Sequence, residues 1–77
     1  MEHTITIYST PSCVYCKMAK KFLDEHGFVY KDINVAQDLE GREEMFTKSQ
    51  QKGVPVIQVD DTIIVGFDKK NLETLLF

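Results

Sequence analysis

The chain has 77 residues, 43% of them hydrophobic and 27% charged, with a formal net charge of −3 at pH 7. That length accommodates one small domain, residues 1–77, because two hydrophobic cores would not fit in it. The acidic balance disfavours a nucleic-acid binder, which carries a basic surplus against phosphate, and the five phenylalanines and three tyrosines argue against a disordered acidic tail.

The opening Met1-Glu2-His3-Thr4 lacks the basic and apolar regions of a secretory signal. Residues 3–9 alternate and favour β structure, which predicts a first strand. Thr10-Pro11-Ser12 breaks it, since Pro11 has no N–H to give to a ladder. From Val14 to about His26, Val14, Met18 and Phe22 recur at i, i+4 and i+8, and Ala19 and Leu23 widen the stripe. A helix ended by Gly27 is expected there, with the cysteines at its start. Residues 28–35 predict a second alternating strand. Asp38 to about Gln51 predicts a second helix with Leu39, Met45 and Phe46 turned inward, and Gly41 weakens its first turn. Gly53-Val54-Pro55 introduces a third strand over 56–59. The tight Asp60-Asp61 turn joins it to a fourth over 62–65, forming a hairpin. The apolar run between Thr62 and Gly66 is far short of the roughly 18 residues of a membrane span. Gly66-Phe67 leads into a last helix with Asp68 as N-cap and Leu72, Leu75 and Leu76 facing the core.

The order βαβαββα describes an α/β fold. The β-α-β crossover makes the first two strands parallel and the closing hairpin antiparallel. A four-stranded mixed sheet with the three helices shared between its two faces is expected, with no nucleic-acid or membrane partner and a monomeric state.

Two residues separate Cys13 from Cys16, so a disulfide between them closes a very small loop and removes little entropy from the unfolded chain. The pair was not placed for stability. Covalent haem attachment needs His directly after the second cysteine, where Lys17 stands. Structural zinc needs four ligands, and the remaining candidates, His3 and His26, lie at the terminus and at the far end of the helix; no metal is expected. Two cysteines serving only as small core residues is the bland alternative.

The remaining reading is a redox dithiol. A cysteine at a helix N-terminus faces unsatisfied N–H groups and the positive end of the dipole, which favour thiolate over thiol. Cys13 occupies that position and is the expected nucleophile, with Lys17 one turn on as a further positive charge. Cys16, three residues along on the same face, is placed to attack a mixed disulfide formed on Cys13.

Three segments in order, Thr10-Pro11-Ser12-Cys13-Val14-Tyr15-Cys16, Val54-Pro55 and Gly66-Phe67-Asp68, resemble a glutaredoxin, and the match spans nearly the whole chain. The resemblance implies the minimal thioredoxin fold, with a cis bond before Pro55. It implies a glutathione groove between Cys13 and Tyr15, Val54 and Pro55, and Gly66, Phe67 and Asp68. Tyr15 would flank the tripeptide, or simply shield the helix start as a partly exposed aromatic. Asp68 would receive the α-amino group as well as capping its helix, and the Phe67 and Asp68 amides would hold the γ-glutamyl carboxylate.

The chain departs from the family pattern at four places. Thr10 stands where many glutaredoxins carry a lysine for the glycine carboxylate, a contact for which Gln51 and Lys52 are the candidates. Gly53-Val54-Pro55 replaces Thr-Val-Pro, Val65-Gly66 replaces Gly-Gly, and Cys-Val-Tyr-Cys replaces Cys-Pro-Tyr-Cys.

The implied activity is glutathione-dependent reduction of protein disulfides or glutathionylated proteins in the cytoplasm. Gly66-Phe67 is also similar to the glutaredoxin-like hydrogen donors of ribonucleotide reductase, which draw electrons from thioredoxin reductase. A third implied role is a [2Fe–2S] carrier, in which two chains hold the cluster through Cys13 and two glutathiones.

Overall fold

The computed structural model describes residues 3–51 and 53–77; Met1, Glu2 and Lys52, the last a candidate glutathione contact, lie outside them. The elements follow the expected order: β1 (Ile5–Ser9), α1 (Val14–Glu25), β2 (Lys31–Asn34), α2 (Leu39–Ser49), β3 (Val56–Val59), β4 (Thr62–Val65) and α3 (Lys69–Leu76). The strands lie in the order β2-β1-β3-β4, with β1 and β2 parallel and the other two pairings antiparallel. This is the mixed sheet of a minimal thioredoxin fold.

Strand alternation divides the interior into two layers. Ile5, Ile7, Ile57, Val59 and Ile64 face one side, where Ala19, Phe22 and Leu23 of α1 and Leu72 and Leu76 of α3 cover them. Tyr8 and Val56 face the other side against Met45 of α2, with Val35 beside them and Ile33 and Ile63 packed at the margin. Leu75 is half-buried against the first layer.

Both α1 and the chain after it depart from the sequence reading. Val14 is 67% exposed and Met18 is exposed too, whereas Cys16, Ala19, Phe22 and Leu23 are buried. The inward row therefore runs through Cys16, which packs as a small apolar residue. The chain after α1 is a helix cap rather than strand. Gly27 adopts φ +75°, a left-handed conformation that costs glycine little. Gly27 N–H donates to Asp24 O at 3.1 Å and Phe28 N–H to Leu23 O at 2.9 Å, the paired bonds of a Schellman ending. Phe28 and Tyr30 pack against the first layer while Val29 is exposed, so β2 begins at Lys31 rather than at residue 28.

In α2 only Met45 of the three expected anchors is buried; Leu39 and Phe46 are exposed. The reason is Gly41. It is buried, and a Cβ there would stand 2.5 Å from Ile33 Cγ2, so the helix backbone itself approaches β2. That approach sets the rotation of the helix and leaves Leu39 on its outer side. Asp38 caps the start, its Oδ1 accepting the Gly41 N–H at 2.9 Å. The helix ends at Ser49, with Gln50 at φ 60°.

Candidate active site

The sheet gathers three loops at one end. Tyr8 of β1 lies opposite Val56 of β3, so the chain leaving β1 towards the cysteines meets the chain entering β3 from Val54-Pro55. Val56 in turn lies opposite Val65, which brings the exit of β4, Gly66 to Asp68, to the same end. The three segments singled out from the sequence are thus neighbours through topology. A hydrogen bond from Gly66 N–H to Pro55 O, 2.8 Å, ties the second to the third.

Cys13 is the N-cap of α1, with an extended backbone at φ −85° and ψ 114°. Its N–H closes a turn onto Thr10 O at 3.3 Å, and its Sγ accepts the N–H of Cys16 at 3.1 Å. The sulfur occupies the place of a capping oxygen, at the end of the helix where N–H groups lack partners. Both cysteines are free thiols; Cys13 is half-buried and Cys16 is buried.

Burial pushes the Cys16 thiol up to about 12, and its hydrogen bond with Cys13 adds to the rise. The Thr10 backbone and the Lys20 ammonium pull the other way. Position alone thus makes the two thiols unlike, with one capping a helix at the surface and the other sheltered beneath it. Lys17 is exposed one turn along.

The bond between Val54 and Pro55 is cis, as the resemblance implied. Pro55 is buried, and Val54 is half-buried against the α2 layer. Phe67 is half-buried, packed against the first layer, and its ring meets that of Phe22 edge-on with centroids 6.1 Å apart. Asp68 is exposed and caps α3, with Oδ1 accepting Asn71 N–H at 3.2 Å and Oδ2 accepting Asn71 Nδ2–H at 2.7 Å. Tyr15 is exposed at the start of α1, and Gln51 is exposed in the loop before β3. Thr10 is half-buried.

The histidines are engaged elsewhere. His3 pairs with Asp60 at 2.9 Å, and His26 packs between Phe22 and Phe77. Among the described residues no three His, Cys, Asp or Glu side chains gather to hold a metal, and no helix is long and apolar enough to cross a membrane.

One polar group near the cysteines escaped the sequence reading. Ser9, a buried residue at the end of β1, donates its hydroxyl to Asp32 Oδ1 at 2.7 Å, and Lys20 pairs with Asp32 Oδ2 at 2.7 Å. The available signal was Lys20 itself, a cation at i+4 from Cys16 on the inward side of α1.

The glutaredoxin family model matches residues 5–64. A glutaredoxin-like 8.6 kDa protein encoded in the rubredoxin operon of Clostridium pasteurianum is 49% identical over 72 residues, covering 94% of this chain and 96% of that one. Glutaredoxin 1 of Rickettsia felis is 41% identical over 68 residues, covering 86% and 67%. The glutaredoxin-like protein NrdH of Lactococcus lactis subsp. cremoris is 35% identical over 71 residues, covering 92% and 97%.

Among solved structures, a thioredoxin-like protein superposes with a TM-score of 0.88 at 25% identity, covering 94% of this chain and 99% of that one. NrdH-redoxin of Escherichia coli, a glutaredoxin-like protein with a thioredoxin-like activity profile, gives 0.84 at 29% identity, covering 94% and 93%. A buckwheat glutaredoxin in complex with glutathione gives 0.78 at 25% identity, covering 96% and 73%.

Proposed function

The chain belongs to the glutaredoxin family of thiol-disulfide oxidoreductases, and we propose that within it Cys13 is the nucleophile, Cys16 the resolving thiol and glutathione the reductant. The observation that carries this reading is the asymmetry of the pair. Cys13 Sγ sits at the helix N-terminus and accepts an amide N–H, whereas Cys16 is buried with its thiol pushed up to about 12.

With a glutathionylated protein, the Cys13 thiolate attacks the glutathione sulfur. The Cys13–glutathione disulfide forms, the protein–glutathione bond breaks, and the protein thiolate departs and takes a proton. A second glutathione thiolate then attacks the glutathione sulfur of that adduct, which yields glutathione disulfide and returns Cys13. With a protein disulfide, Cys13 forms a mixed disulfide and Cys16 attacks Cys13 Sγ. The Cys13–Cys16 bond replaces the mixed one, the substrate leaves as a dithiol, and two glutathiones restore the pair.

Glutathione lies in this reading between Tyr15, the Val54 and Pro55 backbone, and Gly66, Phe67 and Asp68. Val54 offers its backbone as a strand partner for the tripeptide. Asp68 receives the ammonium group, and the amides at the start of α3 receive the γ-glutamyl carboxylate. Gln51 is the described candidate for the glycine carboxylate. A monomer meeting glutathione and glutathionylated or disulfide-bearing proteins is the working form, and a reducing dithiol belongs in the reducing cytoplasm.

A second reading takes its electrons from thioredoxin reductase and serves ribonucleotide reductase. It is favoured by the likeness to NrdH of Lactococcus lactis over nearly the full length of both chains, and to the Escherichia coli NrdH-redoxin with its thioredoxin-like profile.

A pair of coupled assays separates the two. One holds glutathione, glutathione reductase, NADPH and a glutathione mixed disulfide; the other holds thioredoxin reductase, NADPH and a protein disulfide. NADPH consumption in the first is the expected result. Consumption in the second alone establishes the rival, and consumption in neither overturns both.

A further inference from the structure

Resolution poses a physical difficulty for this chain. Cys16 must attack as a thiolate, yet it is buried, and burial opposes the charge that it needs. The groups that act on its thiol are few. From the active-site loop they are the Cys13 side chain and the Thr10 backbone, and from α1 the Lys20 ammonium. Lys17 on the same helix is exposed. The α1–α3 layer packs apolar side chains beneath the helix, with buried Ser9 and the Asp32 carboxylate at its β1–β2 edge. Lys20 is therefore the cation placed to favour a Cys16 thiolate.

Its placement is specific. Lys20 follows Cys16 by four residues, and helical side chains lean towards the N-terminus, so Lys20 lies over the turn that carries Cys16. It does not extend into solvent as its neighbour does: the Lys20 side chain is 26% exposed, against 77% for Lys21. Asp32 on β2 holds it at 2.7 Å, and Asp32 is fixed in turn by the hydroxyl of Ser9, buried beneath at the end of β1. The three residues come from three elements that meet on the α1 side of the sheet. A lysine that served only solubility would need no such anchor.

We propose that Lys20, held by Asp32 and Ser9, is a positioning residue for the resolving step, its ammonium lowering the cost of the Cys16 thiolate as that sulfur attacks the mixed disulfide on Cys13. The inference rests on the resolving role proposed for Cys16. In the step concerned, Cys16–SH and Cys13–S–S–R become the Cys13–Cys16 disulfide and RSH, the thiol proton ending on the departing sulfur. Lys20 neither gives nor takes a proton.

The test isolates that step. Reduced protein is mixed with excess 5,5′-dithiobis(2-nitrobenzoate), and thionitrobenzoate release is followed by stopped flow across pH. The first release is bimolecular and reports attack by Cys13. The second is unimolecular and reports attack by Cys16 on the Cys13 adduct. Over the neutral range, where Lys20 is charged, Lys20→Gln is expected to leave the first phase unchanged and to slow the second. That slowing is expected to be roughly threefold, because a tenfold loss of thiolate is partly offset by greater intrinsic nucleophilicity. Lys20→Arg keeps the charge and is expected to restore the native profile, which a purely steric role would not predict.

A native second-phase profile in Lys20→Gln overturns the proposal, as does failure of Lys20→Arg to rescue. The Cys16→Ser variant guards the premise. A unimolecular second release persisting there overturns the resolving role itself, whatever Lys20 does.

Discussion

The N–H of Cys16 donates to Cys13 Sγ across 3.1 Å, while the Cys16 thiol lies buried with its pKa pushed up to about 12. A single helical turn therefore presents one sulfur outward and withholds the other. At neutral pH Cys16 is held as the thiol. Iodoacetamide at neutral pH is expected to alkylate Cys13 in the folded, reduced protein and to label Cys16 at least about 100-fold more slowly. In urea both should react alike. Tandem mass spectrometry of the labelled peptide distinguishes the two sites, and equal labelling of the folded protein would refute the asymmetry.

Gly41 offers a test of packing that runs against helix propensity. Alanine is the better helix former by about 1 kcal/mol, so Gly41→Ala on a solvated helix face would stabilise. Here the added methyl would meet Ile33 Cγ2 at 2.5 Å and the Asp38 carboxylate at 3.2 Å, the latter being the group that caps the helix. Overpacking of this kind costs about 1–3 kcal/mol. Urea unfolding is expected to show net destabilisation of Gly41→Ala. Pairing it with Ile33→Leu, which lacks the Cγ2 methyl of the contact, should recover part of the loss.

The same glycine shows what the chain made legible and what it hid. The hairpin of β3 and β4 could be read to the residue, because alternating Val and Ile are bounded by Pro55, by Asp60-Asp61 and by Gly66. The N-caps Cys13 and Asp68 were legible for the same reason: a local bond between a side chain and an amide three residues on needs no distant partner. Helix faces were harder. Val14, Met18, Leu39 and Phe46 fit a helical period yet are exposed, since which stripe turns inward depends on contacts across the fold, such as Gly41 on Ile33. Cys16 belongs to the buried row of α1 but reads first as chemistry. The triad of Ser9, Lys20 and Asp32 spans three elements and emerges only once β2 is paired in register with β1. The cysteine pair and its two neighbouring loops were legible as motifs, and topology supplied their meeting.

Tyr8 anchors a second polar network on the opposite face. Its ring is buried, and its hydroxyl donates to Glu44 Oε1 at 2.7 Å. Lys48 donates to the same oxygen at 2.9 Å and to Gln58 Oε1 at 2.7 Å. The hydrogen bonds from Lys48 and then Tyr8 hold the Glu44 carboxyl below its ordinary range. Burial, followed by the bond to Glu44, raises the Tyr8 phenol, and the bond to Glu44 raises the Lys48 ammonium.

The signs define a window. A lowered carboxylate contributes stability above its unfolded pKa, and that contribution is lost as pH falls through the folded value. The two raised groups contribute below their unfolded values near pH 10, and lose that contribution as pH rises through the folded ones. The network is therefore worth most between about pH 5 and 9. Tyr8→Phe keeps the buried ring and should cost about 1 kcal/mol at neutral pH. Its deficit relative to the native protein should shrink on going from neutral pH to acid, as pH falls through the lowered folded value of Glu44. Urea unfolding at neutral and at acid pH checks this, and a deficit independent of pH would assign the loss to packing instead.

Asp68 carries two possible duties that a pair of substitutions can separate. As a cap it accepts both the backbone N–H and the side-chain amide of Asn71, which fixes the start of a helix that buries Leu72 and Leu76. As an exposed carboxylate at the proposed glutathione groove it supplies the charge for an ammonium group. Asparagine caps about as well as aspartate, so Asp68→Asn should leave unfolding within about 0.5 kcal/mol, whereas Asp68→Ala should cost about 1 kcal/mol. Both remove the charge. An exposed ion pair contributes up to about 1 kcal/mol, so both variants should raise KM for glutathione by about fivefold with little change in kcat. Thiol exchange at Cys13 is distant from the ammonium and should proceed as before. If Asp68→Asn keeps both its stability and its KM while Asp68→Ala loses stability alone, Asp68 is a helix cap and the ammonium is received elsewhere.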